Sequence, residues 1–174
     1  MYRFLLNLCI LFFFTACTTP NIESKKNVHH TLTSLLQSLD KEIAYKEAEE
    51  LSSEILQETR ILRKTFDPVN QAHFNNFLIN VGVKEKGLCY QWSDALYLHF
   101  SKKKYTHFEF HLLVANRGEY FSEHNVFVVS VKGKAVMDGV IVDPWRTPGK
   151  LYVSKVKDDT KYHWQHRAKR GCKR

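Results

Sequence analysis

The sequence predicts an α+β domain in which helices come first and antiparallel strands follow. Apolar residues recur at three- and four-residue intervals from about Thr31 to Phe100, then alternate at every second position from Phe108 onward. No internal repeat or low-complexity tract interrupts this order. A further feature singles out one helix: Gly87-Leu88-Cys89-Tyr90-Gln91-Trp92 puts a cysteine at its start, in a chain of 174 residues with four cysteines.

Residues 1–16 read as a signal segment. Arg3 is followed by an apolar run from Phe4 to Phe14, broken only by Asn7. A membrane-spanning helix needs about 18 apolar residues or more, so the run fits the hydrophobic region of a secretory signal. Its end, Phe14-Thr15-Ala16-Cys17, resembles the lipobox of bacterial lipoproteins, with Phe14 where leucine is usual. The resemblance implies lipidation of Cys17, with several acyl chains on one residue giving stable anchoring. Thr18 follows in place of an inner-membrane retention aspartate. The expected location is therefore the bacterial cell envelope, on the outer membrane facing the periplasm. Loss of residues 1–16 removes one charge, Arg3, and lowers the net charge from +8 to +7.

Residues 17–28 are polar, carry Pro20, and read as a lipidated tether. From Thr31 to Lys64, Leu32, Leu35, Leu36, Leu39, Ile43, Leu51, Ile55, Leu56 and Leu62 give a helical period, as one long helix or two shorter ones. Asp67-Pro68 reads as an N-cap and first-turn proline. The helix it would open has Phe74, Phe77, Leu78 and Val81 on its apolar face and a stop at Gly82. The next helix starts near Cys89, carries Trp92, Ala95, Leu96 and Phe100, and ends at Ser101-Lys104. Strands are expected over about 108–113, 125–132, 139–143 and 151–156, with a turn at Lys132-Gly133-Lys134. The compact domain is thus expected to span 29–160, within the ordinary size of one domain. Residues 161–174 hold Lys161, Arg167, Lys169, Arg170, Lys173 and Arg174 and no acid, and read as a solvated basic tail. No zinc-finger, helix-turn-helix or RNA-binding motif accompanies the charge, so nucleic acid is not an expected partner.

The chemistry centres on Cys89. A thiol attacks carbonyl carbon as its thiolate, which a helix N-terminus and a neighbouring imidazolium both favour. Gly87 allows a sharp entry into the helix. His124, at the mouth of one strand, is the candidate base, with His99, His107 and His111 as rivals. Asp143, at the far end of the next strand, can orient the ring. Antiparallel pairing of these two strands brings His124 and Asp143 together. The Cys89 amide offers one oxyanion donor; Gln91 or a residue of 75–86 is a candidate for the second. Trp92 and Trp145 are candidate cleft residues, or core aromatics. Two other readings of the cysteine and histidine residues stand beside this one. Cys89 and Cys172 remain after Cys9 and Cys17 are set aside, and two such cysteines can pair in an oxidising compartment. His107, Glu109 and His111 share one strand face, where a metal site is conceivable.

Gly87-x-Cys89-x-x-Trp92 at a helix start, His124 leading a strand, and Val142-Asp143-Pro144 closing the next are similar to the transglutaminase-like branch of papain-fold cysteine enzymes. The resemblance covers about residues 85–147. It implies Cys89 as nucleophile, His124 as general base and acid, and Asp143 as the orienting acid. It also implies a cysteine-bearing helix packed on an antiparallel sheet, with no cofactor and no metal. The family commonly has an aromatic and then an acidic residue after the histidine; here Asn125-Val126-Phe127-Val128 follow. The expected function is a membrane-anchored, cysteine-dependent acyl transferase, hydrolysing or transamidating protein or peptide amides through a thioester. The alternative is a non-catalytic binding or scaffolding lipoprotein on the same fold, with Cys89 buried or bonded to Cys172. Oligomeric state is not readable from the sequence.

Overall fold

The computed structural model describes residues 22–147 and 150–171. The expected signal segment, the lipidation site Cys17 and the disulfide candidate Cys172 lie outside them. Four helices come first: α1 Ile22–Gln37, α2 Tyr45–Phe66, α3 Ala72–Asn80 and α4 Cys89–Phe100. Five strands follow: β1 Phe108–Ala115, β2 His124–Val131, β3 Val140–Asp143, β4 Tyr152–Lys155 and β5 Gln165–His166. The fold is α+β, with the Cys89 helix packed on an antiparallel sheet of order β4-β3-β2-β1-β5. No helix among the described residues is long and apolar enough to cross a membrane.

The helical pattern from Thr31 to Lys64 resolves into two helices. Between them the chain turns at Asp40, whose carboxylate accepts the Glu42 amide at 3.1 Å, and Ile43 drops into the core. Leu32 and Leu36 of α1, and Ala48, Leu51 and Ile55 of α2, are wholly buried. Their three- and four-residue spacing puts them on one face of each helix. Residues 22–28, expected as tether, instead form the first turns of α1.

Asp67 corrects another expectation. It does not open a helix but closes α2, at φ 42° and ψ 56°, with its amide bonded to Arg63 O at 3.0 Å. Aspartate tolerates this left-handed conformation better than most residues, and Pro68 then stops the helix. Phe66, just before it, packs edge-on to Trp92 at 4.8 Å, so the chain must reverse once that ring is buried. α3 begins only at Ala72, after Gln71.

The start of α4 is built around Gly87. Its φ of 118° lies where side chains are strained, and an added Cβ would meet Asn75 Nδ2 at 2.7 Å. The Gly87 carbonyl accepts Asn75 Nδ2 at 3.3 Å and Trp92 Nε1 at 3.2 Å. Gln91 Oε1 accepts the amides of Gly87 and Leu88 at 2.7 and 2.9 Å, satisfying donors at the helix start. The helix then presents Trp92, Leu96 and Phe100 to the sheet's Phe108, Phe127, Val129, Val140 and Val142 in one core. Burying a ring such as Phe100 or Phe127 contributes about 2–3 kcal/mol.

β2 is the central strand, buried along seven of its eight residues. Its even positions, Val126 and Val128, face a second, smaller core with Leu113, Ile141 and Val156. Both faces are covered, which accounts for its nearly unbroken apolar run. Ala at position 87 must force the turn before Cys89 out of this geometry. We therefore expect Gly87→Ala to lower the urea midpoint by the equivalent of about 2 kcal/mol or more. An unchanged midpoint would show that the turn is not under this constraint.

Candidate active site

Cys89 is the first residue of α4, where first-turn amides have no intrahelical acceptor. It is a free thiol and 6 % exposed. The sulfur lies off the leading end of β2. It donates to Glu123 O at 3.7 Å and accepts Asn125 Nδ2 at 3.7 Å. Helix start and strand start thus converge on one atom.

The β2–β3 register places His124 near Asp143. Phe127 pairs with Val142, which sets Asp143 opposite Val126 and diagonal to His124 on the same face. His124 Nε2 and Asp143 Oδ2 are 2.7 Å apart, and both residues are 1 % exposed. Asp143 is saturated: Oδ2 also accepts Arg146 Nε at 3.0 Å, and Oδ1 accepts the amides of Trp145 and Arg146 at 3.1 and 3.0 Å. Burial opposes the charge on both partners. For His124 the Asp143 carboxylate, then the nearby Cys89 sulfur, outweigh burial and raise the pKa to about 9. For Asp143 burial is outweighed by the His124 ring and the Arg146 guanidinium, and its pKa is lowered.

The opposite ring nitrogen, Nδ1, is buried and makes no hydrogen bond, while the nearby Cys89 sulfur helps to hold the charge on the ring. A hydrogen bond must satisfy direction as well as reach, and Nδ1 receives none from the nearby sulfur. In cysteine enzymes such contacts commonly tighten only when substrate binds.

The rival histidines have other partners. His99 bonds Glu54 at 2.9 Å and lies 3.3 Å from Glu58; His107 Nδ1 bonds Glu47 at 2.6 Å; His111 Nε2 bonds Ser130 Oγ at 2.9 Å. Among the described residues no group of three His, Cys, Asp or Glu side chains is placed to hold a metal ion.

Gln91 and Trp92, the candidates within the cysteine motif, help to build the start of α4. Gln91 commits its carbonyl oxygen to the turn before Cys89 and so caps the helix start, which leaves its side-chain amide as a candidate donor. Trp92 is 1 % exposed and packs on Phe66, so it is core. Trp145 does border the site. Its ring lies 4.7 Å from His124, and its Nε1 donates to Asn76 Oδ1 at 3.1 Å, tying it to α3. A cleft of about 370 Å³ runs past it, lined among others by Gln71, His73, Trp145, Arg146 and Tyr162.

Residues 161–171 are not a free tail. Tyr162 and Trp164 set their rings 4.8 and 5.6 Å from His124. Gln165–His166 form β5 on the edge of β1, and Arg167 is buried in an ion pair with Asp94. Arg146 reaches Asp159 at 2.7 Å and stacks over Tyr152 at 3.9 Å. Asp159 in turn accepts Trp164 Nε1 at 3.1 Å. Sequence reasoning missed Asn125, Arg146, Asp159, Tyr162 and Trp164. The two aromatic residues among the tail's cations were a usable signal; the rest became visible only when distant segments met.

A thiol that has passed its proton to a carboxylate-bound imidazole can attack a carbonyl carbon as thiolate, and the resulting imidazolium can give the proton to a leaving group. The raised His124 pKa also bears on stability. The folded ring keeps its proton up to about 9, while an unfolded histidine loses it near 6.5. This contribution is fully present below the lower value and is lost as pH rises through the upper one. Urea unfolding across that window is expected to show stability falling with pH, and His124→Ala to flatten the slope. A wild-type slope unchanged by the substitution would contradict the charged ring.

No family model, curated protein or solved structure matches this chain, so its possible chemistry is read from its own geometry.

Proposed function

We propose that this chain is a cysteine-dependent acyl-transfer enzyme acting on protein or peptide amides in the bacterial cell envelope, anchored by lipid on Cys17. The observation that carries the reading is the buried His124–Asp143 couple, 2.7 Å apart, with its remaining ring nitrogen unbonded and the Cys89 sulfur beside it. The resemblance to transglutaminase-like enzymes supports the same three roles. In the proposed reaction the proton of the Cys89 thiol already resides on Nδ1 of the His124 imidazolium, and the resulting thiolate attacks the amide carbon. The carbonyl electron pair moves onto oxygen. Collapse of this intermediate breaks the C–N bond, His124 protonates the leaving amine, and a Cys89 thioester remains. Water then attacks the thioester, with His124 taking its proton, and releases the acid and the thiol. An amine in place of water gives transamidation. Hydrolysis is preferred because water is the default acceptor. No cofactor is required by these steps.

A second reading is favoured by one observation. Cys89 is only 6 % exposed and packs within the main hydrophobic core, as a structural cysteine does. On that reading the chain is a binding or scaffolding lipoprotein.

Reactivity in the folded state separates the two. Iodoacetamide at neutral pH is expected to modify Cys89 in the folded protein, and His124→Ala to slow this by roughly tenfold or more. A thiol that reacts only after denaturation would support the binding reading instead. Against a peptide amide, the rate is expected to decline above about 9, where His124 gives up the proton needed by the leaving amine. Activity persisting well beyond that limb would exclude His124 as the acid.

A further inference from the structure

We infer that Asn125 is a catalytic residue of this site, its side-chain amide supplying the oxyanion donor that complements the Cys89 backbone amide. This rests on the reading of Cys89 as nucleophile and adds the group that would stabilise charge on the substrate. Asn125 is 1 % exposed and faces the helix side of β2 with Phe127 and Val129. Its Nδ2 donates to Glu123 Oε1 at 3.0 Å and to Cys89 Sγ at 3.7 Å. Glu123 is itself held, since its Oε2 accepts the Gly118 amide at 2.8 Å. The carboxylate thereby fixes the amide plane and aims a donor at the reacting atom.

A neutral amide buried against a sulfur is an unusual use of a central-strand position, where β2 is otherwise aliphatic or aromatic apart from His124 and Ser130. Its placement fits charge that develops beside the sulfur. When the thiolate bonds to a carbonyl carbon, the new oxyanion lies one bond beyond that carbon. A donor already in contact with the sulfur is then within reach of it. The Cys89 N–H, at the first position of α4, approaches from the helix. Two donors from two elements then flank one oxygen, as an oxyanion hole requires.

The test exploits two reagents that need the same thiolate but different stabilisation. Iodoacetamide alkylates by displacement: the C–S bond forms, iodide leaves, and no oxyanion arises. p-Nitrophenyl acetate acylates by addition: the C–S bond forms as the carbonyl pair moves to oxygen, then the C=O bond re-forms and p-nitrophenolate leaves. Both rates are measured on the purified chain, with the adduct mapped to Cys89. Asn125→Ala and the near-isosteric Asn125→Leu are compared with wild type. Loss of one oxyanion donor is expected to slow acylation by about 10²-fold. Alkylation should fall at least tenfold less than acylation in both variants. Acylation at the wild-type rate, or an equal fall in both reactions, would overturn the role: the amide would then serve the thiolate or the fold. Wild-type protein inert to both reagents while folded would instead remove the nucleophile reading itself, and this inference with it.

Discussion

The structure depends on one buried charge pair, His124 with Asp143, held at 2.7 Å where β2 begins and β3 ends. Taking two such groups out of water is expensive unless every lone pair and proton finds a partner. Here the carboxylate is saturated by a ring nitrogen, a guanidinium and two backbone amides. The imidazole keeps its proton far above the ordinary histidine range for the same reason. A one-residue slip between β2 and β3 would turn either partner to the other face, so the pair also fixes strand register.

The charge network extends outward from this pair and explains why the last described residues belong to the domain. Arg146 joins Asp143 to Asp159, and Asp159 joins Trp164 to the same cluster. Tyr162 and Trp164 then cover the imidazole, while the Arg167–Asp94 pair fastens the segment to α4, the helix that carries Cys89. A single connected set of contacts thus holds the Cys89 helix, the His124 strand and the covering segment. The same cover lowers the local dielectric, which strengthens the pair.

Much of this was legible in the sequence. The change of apolar period after Phe100 gives the fold class, and the Lys132-Gly133-Lys134 turn between two apolar runs brings His124 near Asp143. Gly87 before Cys89 marks the sharp helix entry. Other features depend on contacts between remote segments. Asp67 reads equally well as an N-cap or a left-handed C-cap, and burial of Phe66 against Trp92 decides between them. The basic composition of residues 161–171 suggests solvation, because Asp94, the partner of Arg167, lies far away along the chain. Gln91 and Trp92 sit within the cysteine motif, yet both are used to build the helix start. Asn125 looked like a departure from a family pattern, and its contact with sulfur appears only once the helix is docked.

The central claim is that His124 carries a proton, bound by Asp143, at physiological pH. Imidazole nitrogen NMR across a pH titration tests it most directly. The account predicts a histidine protonated on both ring nitrogens at neutral pH that titrates at about 9 and loses this behaviour in Asp143→Asn. A His124 signal already neutral at pH 7, titrating like an exposed histidine, would contradict it.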